Sequence, residues 1–316
     1  MMEKEFVWKN FSLGTELDVA GSFIYNGLKS FNDMKNLSDE GQVFEVLYNL
    51  AVGIERLAKI AVILLEHKDI TDQEQFEEDL VTHNHHELIG RISKHRRLNF
   101  ARIHNDFIIL LRDFYKSMRY GRYSLWTSFG VEKEALIDYI SNDLDINLNR
   151  ESLFGGIFNS NRIKKSIGKV VGKICEKLYQ VIEETATAQG MYTYEVPIES
   201  KAAKIFLRHE YNFIDEELAL MELLVYLVNT EDETQFLSFL RGIAPIEFDS
   251  EMMPQYITSF TSDVARQELL DMVESFYQEI EDREERKERL EMIEAINNPS
   301  YIWSADDEEE PDGEEW

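Results

Sequence analysis

Between Gln42 and Leu65 the apolar residues Val43, Leu47, Leu50, Ile54, Leu57, Ala61 and Leu64 fall at alternating intervals of four and three. That spacing suits a long helix turning one apolar stripe to its neighbours, and it commits this part of the chain to a helical bundle. Glu55 and Lys59 stand one turn apart on the same helix, in the favourable order for a side-chain pair. A second seam, Ile103, Phe107, Leu110 and Phe114, predicts a helix from about Leu98 to Tyr120, broken at Gly121 within "RYGRYS". Shorter helices are expected near residues 16–34, 85–97 and 131–141.

The stretch "NDLDINLNRESLFGG", residues 142–156, is polar and turn-rich, and it reads as a boundary between a bundle over 1–145 and a second helical domain over 156–300. The second domain opens with a basic amphipathic helix from Ser160 to Ala188. "GMYTYEVPI" follows as a short extended segment, because its aromatic and β-branched residues favour strand backbone. Further helices are expected near 199–208, 214–229, 233–241 and 262–297, the last projecting and almost wholly charged. Residues 304–316, with eight acids and no base from Asp306 to Glu315, read as a disordered acidic tail. The expected fold class is therefore mostly α.

Sixty-one acids against 33 bases give a formal charge of −28, which opposes general affinity for polyanions. The bases are gathered, however. Residues 91–122 carry nine Lys or Arg against Asp106 and Asp113, and residues 160–180 carry six against Glu176. Cys175 is the sole cysteine, so no disulfide can form within the chain, and a small buried side chain in a reducing, cytoplasmic setting is the reading. The longest apolar run, "IAVILL" at 60–65, is far too short for a bilayer, so no membrane partner is expected.

No phosphate-cradling glycine loop, nucleophile elbow or paired cysteines are present. His83, His85, His86 and Glu87 in "THNHHELIG" could ligate zinc, yet Gly90 stands four residues after His86 where a helical site needs a second histidine. A helix start capped by Thr82 or Asn84 accounts for them without metal. Arg97 and His104 are seven residues apart, close to two helical turns, which would put them on one face. Such a pair suits RNA cleavage without a cofactor: His104 as general acid or base, Arg97 stabilising the phosphate in flight. Lys94, Arg96 and Arg102 would hold the backbone, and Arg119, Tyr120, Arg122 and Tyr123 would grip and stack on bases. The plainer reading makes all of these the rim of a packed bundle.

Three stretches, "LAVGIERLAKIAVILLEH" (50–67), "HNHHELI" (83–89) and "HNDFIILLRDFYKSMRYGRYSL" (104–125), resemble the HEPN domains of prokaryotic defence and toxin–antitoxin systems, over residues 15–140. The resemblance implies a helical bundle that acts on RNA, in many members as a metal-independent endoribonuclease with four to six residues between an Arg and a His, paired across a dimer. Only Arg97 and His104 approach that motif, at its long limit, with Leu98 where the family often has a small polar residue. The readings left open are an RNA-acting antiviral or stress protein, a non-catalytic module for a protein partner or a homodimer, and an acidic mimic of nucleic acid.

Overall fold

The computed structural model describes residues 4–68, 72–121, 123, 125, 130–148, 156–262 and 266–297. The chain divides into two compact units, residues 1–215 and 216–316. Every regular element among the described residues is a helix, with one isolated bridge between Asn36 and Phe158.

In the first unit a helical turn, Lys4–Val7, and a π turn, Trp8–Ser12, lead into α1, Leu13–Asp33. There follow α2 (Glu40–Glu66), α3 (Gln73–Leu80), α4 (His85–His95) and α5 (Arg102–Asp113). A second π turn, Phe114–Met118, continues α5 into Arg119–Gly121. Then come α6 (Val131–Asp138), running into a π turn at Tyr139–Asp143, α7 (Asn161–Ala188) and α8 (Lys201–Phe206).

The seam on α2 is the centre of this unit, and all seven of its residues are buried. Each fully buried Leu or Ile side chain contributes roughly 1.5–3 kcal/mol of transfer free energy. Asp39 starts the helix by accepting the Gln42 N–H at 3.0 Å. α1, α4 and α7 pack around α2. At the crossing with α1 the backbones meet closely at Gly53, where a Cβ would lie 2.9 Å from Ile24 N and 3.0 Å from Ala20 O.

The boundary expected at 142–156 does not divide the units. α7 buries Ile163, Ile167, Val170, Ile174 and Cys175 in the same core as α1 and α2. The polar residues before it bind the first helices: Asn159 donates through Nδ2 to the carbonyls of Phe31 (2.7 Å) and Met34 (3.0 Å), and Leu37 N donates to Ile157 O at 2.8 Å. The Asn159 amide thus satisfies backbone carbonyls at the end of α1.

The segment 190–198, expected to be extended, forms no strand and mixes turns with irregular backbone. Gly190, at φ 68°, ends α7. The following residues are then held singly, Tyr192 N donating to Asn10 Oδ1 (2.7 Å) and Tyr194 O accepting from Tyr179 (2.8 Å). No strand among the described residues offers them a ladder.

The second unit holds most of α9 (Ile214–Asn229), then α10 (Gln235–Gly242), α11 (Met253–Ile257) with a 3-10 turn at Thr258–Thr261, α12 (Gln267–Glu279) and α13 (Arg283–Ile296). The single helix expected over 262–297 is thus two. Ile280 is extended, and Asp282 accepts the Glu284 N–H at 2.8 Å, so the acidic side chain starts a new helix where periodicity alone would continue the old one. Among the described residues Leu237 and Tyr256 are its buried hydrophobics. The expected acidic tail, 304–316, lies outside the described residues.

Candidate functional site

Arg97 and His104 do not share a helix. α5 begins at Arg102, with Ala101 as its N-cap, and Asn99 takes a left-handed backbone (φ 51°) between the two residues. Arg97 is exposed on the irregular segment after α4, while His104 is half-buried in the first turn of α5. Ala101 has no side chain with which to cap, and His104 serves instead: its Nδ1 accepts the Ala101 N–H at 3.1 Å. Burial lowers the His104 pKa, and the nearby Lys173 of α7 pushes the same way. The neutral ring therefore carries its proton on Nε2, which leaves a hydrogen-bond donor but no free lone pair for a base.

The other expected contacts divide. Lys94, Arg96 and Arg97 are exposed and meet no acid among the described residues, though Arg96 also bonds His95 O at 3.2 Å. Arg102 is neutralised by Asp143 (3.1 Å) and Asp106 (3.4 Å) at a cavity of about 370 Å³ also lined by Asp138, which removes it from the free phosphate contacts. Arg119 lies over the rings of Tyr115 (3.6 Å) and Tyr120 (4.5 Å). Tyr120 and Tyr123 are exposed, and Arg122 is outside the described residues.

α7 adds a basic face. Arg162, Lys165, Lys169 and Lys173 are exposed at intervals of three and four, with Ile163, Ile167, Val170 and Ile174 buried behind them. Four residues advance a helix by about 6 Å, so these bases form one row. The field of Lys173 at His104 joins that row to the start of α5.

A second cluster gathers residues from the stretches 50–67, 83–89 and 104–125. Glu55 of α2, only 7% exposed, receives Lys59 at 2.8 Å and His83 Nδ1 at 3.1 Å. The His83 side chain is 49% exposed and its ring sits 4.7 Å from that of Tyr115, in the π turn after α5. Arg119 covers the same tyrosine, and its Nε is buried with no hydrogen-bond partner among the described residues. Burial raises the Tyr115 pKa, keeping the phenol protonated.

Because ionised Glu55 can only accept, His83 must donate through Nδ1, and the lone pair is left on Nε2. This is the tautomer that His104 lacks. His85 is buried beside them, donating through Nε2 to Ala51 O at 2.8 Å, and burial lowers its pKa. Asn84 caps α4, accepting the Glu87 N–H at 3.4 Å. Among the described residues no three His, Cys, Asp or Glu side chains are grouped to hold a metal ion.

The Glu55–Lys59 pair was legible from spacing, but His83 drew notice only as a metal ligand or helix start. Its pairing with a carboxylate 28 residues away depends on how α2 and α4 pack. Compared with protein-family models, curated proteins and solved structures, the chain matches none.

Proposed function

We propose that the chain is a HEPN-like, RNA-acting protein of a prokaryotic defence or stress system, working in the cytosol as a metal-independent endoribonuclease. The observation that carries this reading is the 3.1 Å hydrogen bond from His83 Nδ1 to Glu55, which fixes the tautomer a general base requires. In this reading His83 Nε2 takes the proton of a ribose 2′-hydroxyl, whose oxygen attacks the adjacent phosphorus. The P–O5′ bond breaks, leaving a 2′,3′-cyclic phosphate and a 5′-oxygen that takes a proton from solvent. Arg119 supplies positive charge to the phosphate, and Tyr120 and Tyr123 offer stacking faces. The α7 row, with Lys94, Arg96 and Arg97, holds the flanking backbone, and His104 acts as a donor there.

The test is a mixed RNA pool with excess chelator, comparing the wild type with His83→Ala, Glu55→Gln, Arg119→Ala, Arg97→Ala and His104→Ala. The expected result is cleavage to cyclic-phosphate ends that His83→Ala lowers by about 10²–10⁴-fold. Glu55→Gln should lower kcat with RNA affinity retained, and Glu55→Asp should restore part of it. Activity lost in His104→Ala and kept in His83→Ala would return the chemistry to the Arg97 and His104 pair. RNA left uncut but bound would leave a binding protein only.

A further inference from the structure

The helix α9, "IDEELALMELLVYLVN", is rich in large apolar residues, yet none of its residues is buried. Leu218, Leu220, Leu223, Val225, Tyr226, Leu227 and Val228 are all exposed, Val228 at 75%. Scattered exposed hydrophobics are ordinary on a protein surface, but seven within eleven consecutive residues leave this helix with exposed apolar side chains on more than one side. Ile214, Met221 and Leu224, at the spacing of one face, are partly covered. Leu220, Leu223 and Leu227 form a separate stripe at i, i+3 and i+7, the anchor pattern by which one helix docks on another. Leu218 and Val225 lie on the side roughly opposite that stripe.

Charge chooses among the occupants. Residues 216–297 hold 21 acids against six bases. Asp215, Glu216 and Glu217 stand in the first turn of the helix, and Glu231, Asp232 and Glu233 follow its last turn. In a pair of copies aligned head to tail, the Glu231–Glu233 run of each would meet the acids at the other's start. In a parallel pair the runs would meet each other. Like charges in either arrangement disfavour self-association. An anionic lipid surface is disfavoured by the same field. A helix whose leucine-type stripe is flanked by Lys or Arg satisfies both parts of the surface at once.

We infer that α9 is a docking surface for an amphipathic helix of a partner protein, apolar along one stripe and basic at its ends, gripped by Leu220, Leu223 and Leu227. This inference is independent of the RNA reading, since it concerns the second unit alone.

The test uses the full chain and three labelled 16-residue helical peptides in 0.15 M salt: one with a leucine stripe and lysine ends, one with the leucines changed to serine, and one with glutamate ends. Fluorescence anisotropy should show saturable binding of the leucine–lysine peptide, weaker by at least tenfold for the other two. The triple variant Leu220→Ser, Leu223→Ser, Leu227→Ser should lose that binding by at least tenfold, with its circular dichroism unchanged. Leu218→Ser with Val225→Ser, on the other side, should retain it.

Equal binding of the serine peptide would reduce the effect to charge alone and overturn the inference. So would equal loss in both variants, which would mean general stickiness. A wild type that sediments as a dimer and becomes monomeric in the triple variant would assign the stripe to a second copy. Binding to anionic vesicles that the triple variant loses would assign it to lipid, and failure of every peptide would also overturn it.

Discussion

Replacing Gly53 with alanine tests the packing that holds Glu55 in place. The new Cβ would stand 2.6 Å from Ile24 Cγ1, 2.9 Å from Ile24 N and 3.0 Å from Ala20 O. The side chain can swing aside, but the two backbone atoms belong to α1 and move only if that helix retreats. Overpacking of this kind costs typically 1–3 kcal/mol, against which alanine returns about 1 kcal/mol of helix propensity. A net loss of roughly 1 kcal/mol is therefore expected.

Gly90, inside α4 with nothing within 4 Å of its Cβ position, is the internal control, and there the same substitution should stabilise by about 1 kcal/mol. The assay is urea unfolding followed by pulsed thiol labelling of Cys175, whose side chain is buried in the first unit and so reports that unit's opening. At an m value of about 2 kcal/mol/M the two variants should differ by about 1 M in midpoint. Equal stabilisation by both substitutions would refute the close crossing of α1 and α2.

Acidification should weaken the first unit as pH falls below about 6.5, the ordinary histidine value, because burial lowers the pKa of His85 and, less completely, of His104. The unfolded chain then binds protons that the folded one resists, so stability is fully present above that pH and is lost beneath it. Urea midpoints at pH 7.5 and 5.5 check this, with a smaller difference expected in His85→Gln. Lys165→Glu with Lys169→Glu should weaken binding of a labelled single-stranded RNA and flatten its dependence on salt, measured by anisotropy from 50 to 200 mM; an unchanged slope would remove the α7 row from the contact. Burial raises the Cys175 thiol pKa well above its usual range, so a thiol reagent should leave the native protein unmodified and label it fully in denaturant; rapid native labelling would contradict the burial.

The seam of α2 was legible because seven buried residues at a fixed period leave little choice of structure. The start of α5 was not, since periodicity runs through Leu98 and Phe100 while the backbone turns at Asn99 and the helix begins only at Arg102. Placing Arg97 and His104 on one face followed from that extrapolation. Polar residues misled in the other direction. The polar stretch 142–156 read as a domain boundary, but Asn159, just beyond it, is buried and hydrogen-bonded to the carbonyls at the end of α1. The candidate base was hidden for a third reason: His83 gains its meaning from Glu55, and nothing local to either residue announces the pairing.

The π turn at Phe114–Met118 gives α5 one residue more than an α-helix of the same length would hold. Everything beyond it is rotated by about 100°, the angle one residue subtends on a helix. Straightening that turn into ordinary α-helix, with all its residues kept, would carry Arg119 and Tyr120 away from Tyr115 and His83. Phe107 and Leu110 would keep their places in the core. Working and silent versions of this bundle would then differ by the hydrogen-bond pattern of one helical turn, with the sequence itself unchanged.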